Sequence, residues 1–164
     1  FSLAMQIAQE MGILNQGDLV VQTAGTLTGI SGSTDLIKVG LVRKIVSRGI
    51  SIGEIGVTGK ARIIKNNLDI SLICPGEILF VPEELMKIIP LSKNIAGIVT
   101  NQNVNDVYAL FNKNNKKIST ICNLENIDNH QISNGDLITL QLNEGVIYMG
   151  QIEDDDAIDK YKYV

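Results

Sequence analysis

The chain is short of the residues that most often announce a chemistry. Its 164 residues include no Trp, one His, two Cys and three Pro, and aromatics make up only 4%. A lone histidine, His130 in Asp128-Asn129-His130-Gln131, has no base or metal partner near it in sequence, so it reads as a solvated loop residue. Cys74 and Cys122 are too few for a disulfide framework and lack a metal-ligand spacing. Both sit in apolar company and are expected to be buried free thiols, with no metal. A net charge of −4 and a pI of about 4.9 exclude the basic surface that nucleic acid requires. No apolar run approaches the roughly 20 residues that span a bilayer, and Phe1-Ser2-Leu3-Ala4-Met5 lacks the basic start of a signal peptide. These absences point to a cytoplasmic protein with no nucleic-acid or membrane partner.

What is present is an ordinary globular balance, 45% hydrophobic and 20% charged, with enough length for one core or two small ones. Leu3, Ile7 and Met11, with Ala4 and Ala8, make an apolar stripe at helical spacing, and Gly12 is a plausible stop. The pattern starts in mid-helix without Met, as an excised piece of a longer protein would. Asp18-Leu19-Val20-Val21 and Leu36-Ile37-Lys38-Val39 read as strands, the second half exposed at Lys38. Between them Gly25, Gly29 and Gly32 alternate with Thr26, Thr28, Ser31, Ser33 and Thr34. Such a loop lets backbone amides and hydroxyls approach a phosphate closely. It has no Lys or Arg, so it is not a Walker-type loop. On composition alone a long hairpin connection is the favoured reading.

Gly49, Gly53 and Gly56 suggest a linker over 43–56 with Arg43, Lys44 and Arg48 exposed, and the domain boundary is placed near Arg43. Strands are expected at Thr58–Ile64, Glu77–Val81, Ala96–Thr100, Ile118–Cys122, Asp136–Leu140 and Val146–Met149. Asn143-Glu144-Gly145 forms a hairpin turn. Val104–Phe111 has helical spacing, and Glu83–Leu91 is a short helix or turn ended near Pro90. The expected core is Ile63, Ile78, Phe80, Ile98, Val99, Ile121, Leu137, Leu140 and Ile147. The acidic run Glu153-Asp154-Asp155-Asp156 lacks the glycine and spacing of a calcium loop and reads as a solvated tail.

Two resemblances follow from these pieces. The helix FSLAMQIAQEMGIL, the strand GDLVVQTAG, the loop TLTGISGST and the strand DLIKV resemble, in order, the end of the pyruvate kinase C-terminal domain. TGKARI, GEILFVP, AGIVT, GDLITL and EGVIYMG resemble the swivelling phosphohistidine domain of phosphoenolpyruvate-utilising enzymes, which some pyruvate kinases carry as an extra segment. The implied fold class is α/β (α+β). Residues 1–42 would be an incomplete α-β-β tail of the C-terminal domain and 43–56 a linker. Residues 57–150 would be a β/β/α phosphohistidine-like domain and 151–164 an acidic tail.

The resemblance also shows what is missing. The family motif runs Thr, two residues, Gly-Gly, one residue, Thr-Ser-His-Ala-Ala, its histidine accepting the phosphoryl group. Here the same register reads Thr100-Asn101-Gln102-Asn103-Val104-Asn105-Asp106-Val107-Tyr108-Ala109-Leu110. The glycine pair falls on Asn103 and Val104, and the histidine on Tyr108. The register continues into Lys116-Lys117-Ile118-Ser119 and Glu125-Asn126, and an arginine that would help hold phosphate falls on Met86. An imidazole with pKa about 6.5 is a neutral nucleophile near pH 7, whereas a phenol with pKa about 10 is almost wholly protonated. Val104 lacks glycine's permissive backbone, and Asp106 brings negative charge toward an incoming phosphate.

The expectation is therefore a non-catalytic regulatory and structural part of a pyruvate kinase, with no catalytic residue of its own. By resemblance, the parent transfers phosphate from phosphoenolpyruvate to ADP in glycolysis, using Mg²⁺ and K⁺, while this piece holds no cofactor. Expected partners are the rest of the chain, neighbouring subunits and a phosphorylated effector at Thr26, Gly29, Ser31, Gly32, Ser33 and Thr34. The alternatives are an independent phosphoryl-carrier domain and a pure subunit-assembly domain.

Overall fold

The computed structural model describes residues 2–25, 34–91, 94–125, 127 and 132–151. The chain is mixed α/β and divides into two units, Phe1–Lys44 and Ile45–Val164.

The first unit holds α1 (Ser2–Glu10) and the antiparallel pair β1 (Leu19–Gly25) and β2 (Thr34–Leu41). Gly12 takes φ +71, and the amides of Met11, Gly12 and Ile13 donate to the carbonyls of Ile7, Gln9 and Ala8. A left-handed glycine after the last turn closes the open carbonyls of a helix in this way. Leu19 faces Leu41, Val21 faces Val39 and Thr23 faces Ile37 across the hairpin. Paired residues share a face, so Leu19, Val21, Ile37, Val39 and Leu41 form one apolar stripe. All five are exposed, Leu19 at 71% and Ile37 at 70%. The other face carries half-buried Val20, Gln22 and Lys38, and a side chain added at Gly40 would lie 3.3 Å from Met5 Sδ of α1. This corrects the reading of β2: α1 covers the face with Lys38, and the bare side is the apolar one.

The second unit is built on an eight-stranded mixed sheet. Its strands are β3 (Ile45–Arg48), β4 (Ile50–Ile52), β5 (Val57–Ile63), β6 (Ile78–Val81), β7 (Gly97–Thr100), β8 (Ser119–Cys122), β9 (Leu137–Gln141) and β10 (Val146–Met149). Their spatial order is β3-β10-β9-β5-β6-β7-β8-β4. β5, β6, β7 and β8 are parallel neighbours, and the remaining pairs are antiparallel. The crossovers carry α2 (Asn67–Ser71), a 3₁₀ turn at Glu83–Ile88 and α3 (Val104–Asn114).

Residues 43–56, expected as linker, therefore hold two strands of the sheet. β3 pairs with β10 at one end of the strand order and β4 with β8 at the other, with only Gly49 between them. One bent segment thus spans both ends of the strand order and covers the edges of β10 and β8. Gly49 is the bend because nothing larger fits. A Cβ there would stand 2.5 Å from the Cys122 carbonyl oxygen and 2.7 Å from Ile121 Cγ2. Three glycines in fourteen residues look like a linker by composition, yet Gly49 and Gly56 mark close backbone approaches and Gly53 takes φ +114.

Side-chain alternation sends the buried strands to two cores. Leu79, Val81, Ile98 and Cys122 face the helical side with Met86, Val107 and Phe111. Ile78, Phe80, Val99 and Ile121 face the curled antiparallel half with Ile138, Leu140 and Ile147. Each fully buried side chain of this size contributes about 1.5–3 kcal/mol. Of the expected core, Ile63 is only half-buried and Leu137 is 41% exposed. Leu137 opens β9 opposite Lys60, on the side away from Ile138. Cys122 is buried as expected, but Cys74 is exposed in the turn before β6.

Candidate functional site

The residues aligned with the phosphoryl-acceptor motif lie where β7 ends and α3 begins. Thr100 closes β7 with no exposure, and its Oγ1 accepts from the Gln102 amide at 3.2 Å. Its carbonyl accepts from Leu124 N, and the Gln102 carbonyl accepts from Asn123 N at 2.9 Å. Asn123 reaches that bond with φ +62, a left-handed conformation that asparagine tolerates better than most residues. Asn101 Oδ1 accepts from Glu83 N at 2.9 Å, tying the segment to the 3₁₀ turn. The backbone here is held from both sides by neighbouring strands and turns.

Asn103 is the N-cap of α3. Its Oδ1 accepts from Asp106 N at 3.0 Å, its carbonyl accepts from Val107 N, and its Nδ2 donates to Asp106 Oδ2. A helix N-terminus otherwise offers free amides and partial positive charge to an anion. Here the Asp106 amide is occupied by the chain itself, and the carboxylate of Asp106 stands in the first turn. An incoming phosphate would meet a negative charge and a filled donor. Gln102 is 9% exposed, and its Oε1 has no hydrogen-bond partner among the described residues. Tyr108 is 48% exposed on α3, while Val107 and Phe111 turn into the core. Met86, at the arginine position, is fully buried in the core facing the helices. A buried methionine thioether offers a phosphate no charge.

One charged pair was not legible from spacing. Glu77, 7% exposed just before β6, accepts from Arg62 Nε and Nη2 of β5 at 2.7–3.2 Å. It also accepts from Cys74 N at 2.8 Å. Burial pushes the Glu77 carboxyl up. The paired guanidinium and the Cys74 amide outweigh that and hold it below the usual carboxylate range. The hydrogen-bonded carboxylate raises Arg62 in turn. This pair sits at the N-terminal end of β6, whereas Thr100 lies at the C-terminal end of β7, so the two do not form one site. Its only trace in the sequence is a glutamate leading an apolar run and an arginine in an alternating strand.

A hollow of about 350 Å³, bordered by Lys87, Leu91, Leu110, Asn114 and Lys116, lies at the other end of α3 from Asn103. Among the described residues, no group of three His, Cys, Asp or Glu side chains is placed to hold a metal ion. No helix is long and apolar enough to cross a membrane among them either. Thr26, Gly29, Ser31, Gly32 and Ser33 lie outside the described residues, and Thr34 opens β2. His130 and the run Glu153–Asp156 also lie outside them.

Fold and site together define a mixed α/β unit with an eight-stranded sheet and a self-capped helix at a strand end, preceded by a helix and hairpin unit. No family model matches the chain. Over 152 residues, 93% of its length, it is 36% identical to pyruvate kinase 2 of Synechocystis sp., matching 26% of that protein. It is 30% identical over 149 residues to the pyruvate kinase of Staphylococcus saprophyticus, matching 25% of it. With the enzyme of Lactobacillus delbrueckii it shares 25% over 153 residues, 26% of that protein. The chain is thus homologous to a C-terminal portion of pyruvate kinases and spans about a quarter of the length of these relatives. Among solved structures, the microcin C7 self immunity protein MccF covers 90% of this chain at 14% identity, matching 56% of its own chain. Its TM-score of 0.42 is too low for anything to follow from it.

Proposed function

We propose that this chain is a non-catalytic regulatory and structural part of a pyruvate kinase, and that its second unit is a phosphohistidine-type domain that has lost its phosphoryl acceptor. The parent would transfer phosphate from phosphoenolpyruvate to ADP with Mg²⁺ and K⁺, on residues outside this chain. The observation that carries the reading is the start of α3. Asn103 and Asp106 fill the helix N-terminus where a phosphate would have to sit, and the acceptor position is a phenol, Tyr108. A phosphoryl carrier needs a nucleophile that is neutral near pH 7 and a site that accepts negative charge. This arrangement offers neither.

The test is incubation with phosphoenolpyruvate and a competent phosphotransferase partner, followed by intact-mass spectrometry. The expected result is no stable adduct. A phosphate on Tyr108 would overturn the reading and favour an independent carrier. The partners would be the rest of the enzyme chain and its neighbouring subunits. The loop Thr26–Thr34 would hold the phosphate of an effector through amides and hydroxyls, with modest affinity because it has no cation. In a full-length enzyme, Gly32→Val with Ser33→Asp should then abolish effector activation, and an unchanged half-saturation would show the loop to be a connector.

A further inference from the structure

We propose that Asn134-Gly135, in the turn that leads into β9, is a site of spontaneous deamidation held closed by the end of the β5–β9 pairing. It is the one Asn-Gly step in the sequence. The chemistry needs no catalyst. The Gly135 amide nitrogen attacks Asn134 Cγ, the Cγ–Nδ2 bond breaks, and ammonia leaves behind a cyclic imide. Water then opens the ring at one carbonyl or the other, giving aspartate or isoaspartate. Glycine in second place favours the attack because no side chain shields its nitrogen and its backbone bends freely. Both residues are exposed, and a Cβ at Gly135 would meet nothing within 4 Å, so water reaches the step.

Exposure alone would make the step fast, but both reacting groups are engaged. The turn over residues 133–136 is closed by Asp136 N donating to Ser133 O at 3.1 Å and Ser133 N donating to Asp136 Oδ2 at 2.8 Å, with Gly135 at φ +91. The last ladder pair of β5 and β9 is Lys60 with Leu137. Beyond it, Ala61 N donates to Asp136 O and Gly135 N donates to Ala61 O, both at 2.8 Å. Ile63 N then donates to Asn134 Oδ1 at 2.7 Å, so a side-chain oxygen stands in for a strand carbonyl. Cyclisation requires Gly135 N to lose its proton and Asn134 Cγ to turn back onto it. The first breaks the bond to Ala61 O, and the second breaks the bond from Ile63 N. The folded chain therefore deamidates only through openings of this end of the pairing. Isoaspartate carries the main chain through Cγ, adds a methylene to it, and leaves a free carboxylate beside Asp136. It cannot hold both bonds, so an end that has opened and reacted does not close again.

Peptide mapping by mass spectrometry follows the conversion in the whole chain, incubated folded and in guanidinium chloride at mildly alkaline pH. The folded chain should convert more slowly by about tenfold or more, a factor that needs only about 1.4 kcal/mol of opening. Amide exchange supplies an independent measure. Gly135 N must be released for exchange and for cyclisation alike, so the slowing should equal or exceed the protection factor of the Gly135 amide. Equal rates in the folded and unfolded chain, or a slowing smaller than that protection, would overturn the gate. No conversion in guanidinium chloride would overturn the site itself. In the isoaspartyl product, isolated by chromatography, exchange protection should fall at Ala61 and Ile63 and stay unchanged at Ile121. Unchanged protection at Ala61 and Ile63 would overturn the part given to the Asn134 side chain in the pairing.

Discussion

Gly49→Ala tests the closure of the sheet with a single methyl group. The new Cβ would stand 2.5 Å from the Cys122 carbonyl oxygen, 2.7 Å from Ile121 Cγ2 and 3.1 Å from Leu124 Cδ1. Leu124 could turn away, but the carbonyl belongs to β8, and the Cys122 amide plane is fixed by pairing with Ile50. Relief must come from displacing the bend itself, which strains the Gly49 N to Gly145 O bond. Overpacking of this kind costs about 1–3 kcal/mol. Loss of the hydrogen bond adds about 1 kcal/mol. Ala also restricts the unfolded chain, which returns about 0.4–1 kcal/mol. The net destabilisation is about 1–3 kcal/mol. Urea titration followed by far-UV circular dichroism reads it directly, since a slope near 1–3 kcal/mol/M converts that loss into a midpoint lowered by about 1 M. Ser47→Ala, in the same strand but outside the bend, serves as the control and should stay within about 0.5 kcal/mol of the parent. A Gly49→Ala midpoint equal to or above the parent's would mean that the bend is not wedged against β8.

Three further outcomes follow from the same contacts. Glu77→Gln leaves the Arg62 guanidinium facing a neutral amide and should cost about 1–3 kcal/mol at pH 7. Because the folded carboxyl lies below its unfolded value near 4.3, this contribution is full above that pH and fades as pH falls through the folded value. Parent and variant stabilities should therefore converge in acid, and a constant gap down to pH 2 would refute the pairing. Asn103→Ala removes the α3 cap and should lower stability by about 1 kcal/mol in thermal unfolding, whereas Asn105→Ala, one turn position on and exposed, should not. The exposed stripe Leu19, Val21, Ile37, Val39 and Leu41 forgoes about 1.5–3 kcal/mol per side chain, so this chain should self-associate in sedimentation velocity. Val21→Lys with Ile37→Lys should yield a monomer, and a parent already monomeric at high concentration would show that the stripe is not adhesive.

Most of the second unit was legible because its strands carry strong local signals. Pro75-Gly76 followed by Ile78-Leu79-Phe80-Val81 reads, by its shortness and its flanking turn, as a strand buried on both faces, and the four residues divide between the two cores in strict alternation. The misses share one cause, which is tertiary bonding that leaves no periodic trace. β3 and β4 are three or four residues long and broken by Gly49, so neither shows alternation by itself. Their identity as strands comes wholly from β10 and β8, nearly 100 and 70 residues away. α2 was missed because five residues are too few for a period, and its capping box on Asn66 and Asp69 defines it instead. Leu137 was placed in the core from its neighbours, but it opens β9 on the outward side of the pleat.

The site was legible in a different way. Spacing locates the start of α3 and, under the proposed resemblance, puts the acceptor position on Tyr108, with Asn103 and Asp106 only as poor substitutes for glycine and threonine. The geometry gives them a positive role. A helix N-terminus that loses its anion is left with open amides and an uncompensated dipole, a cost of the order of 1 kcal/mol or more. Asn103 and Asp106 supply both missing parts from within the chain, the acceptor as a cap and the charge as a carboxylate in the first turn. On the proposed reading, replacement of the histidine alone would leave a helix start that phosphate could still approach. A self-capped helix does not, because any anion must first displace Asn103 from the Asp106 amide and then sit beside a negative charge. On the proposed reading, placing histidine at position 108 by itself should therefore not give phosphoryl transfer. Tyr108→His should remain unlabelled by phosphoenolpyruvate and a competent partner. Tyr108→His combined with Asn103→Gly, Val104→Gly and Asp106→Thr rebuilds an open, uncharged start to α3 and should be labelled faster than the single variant. Labelling of the single variant at the rate of the quadruple one would refute the role assigned to the cap.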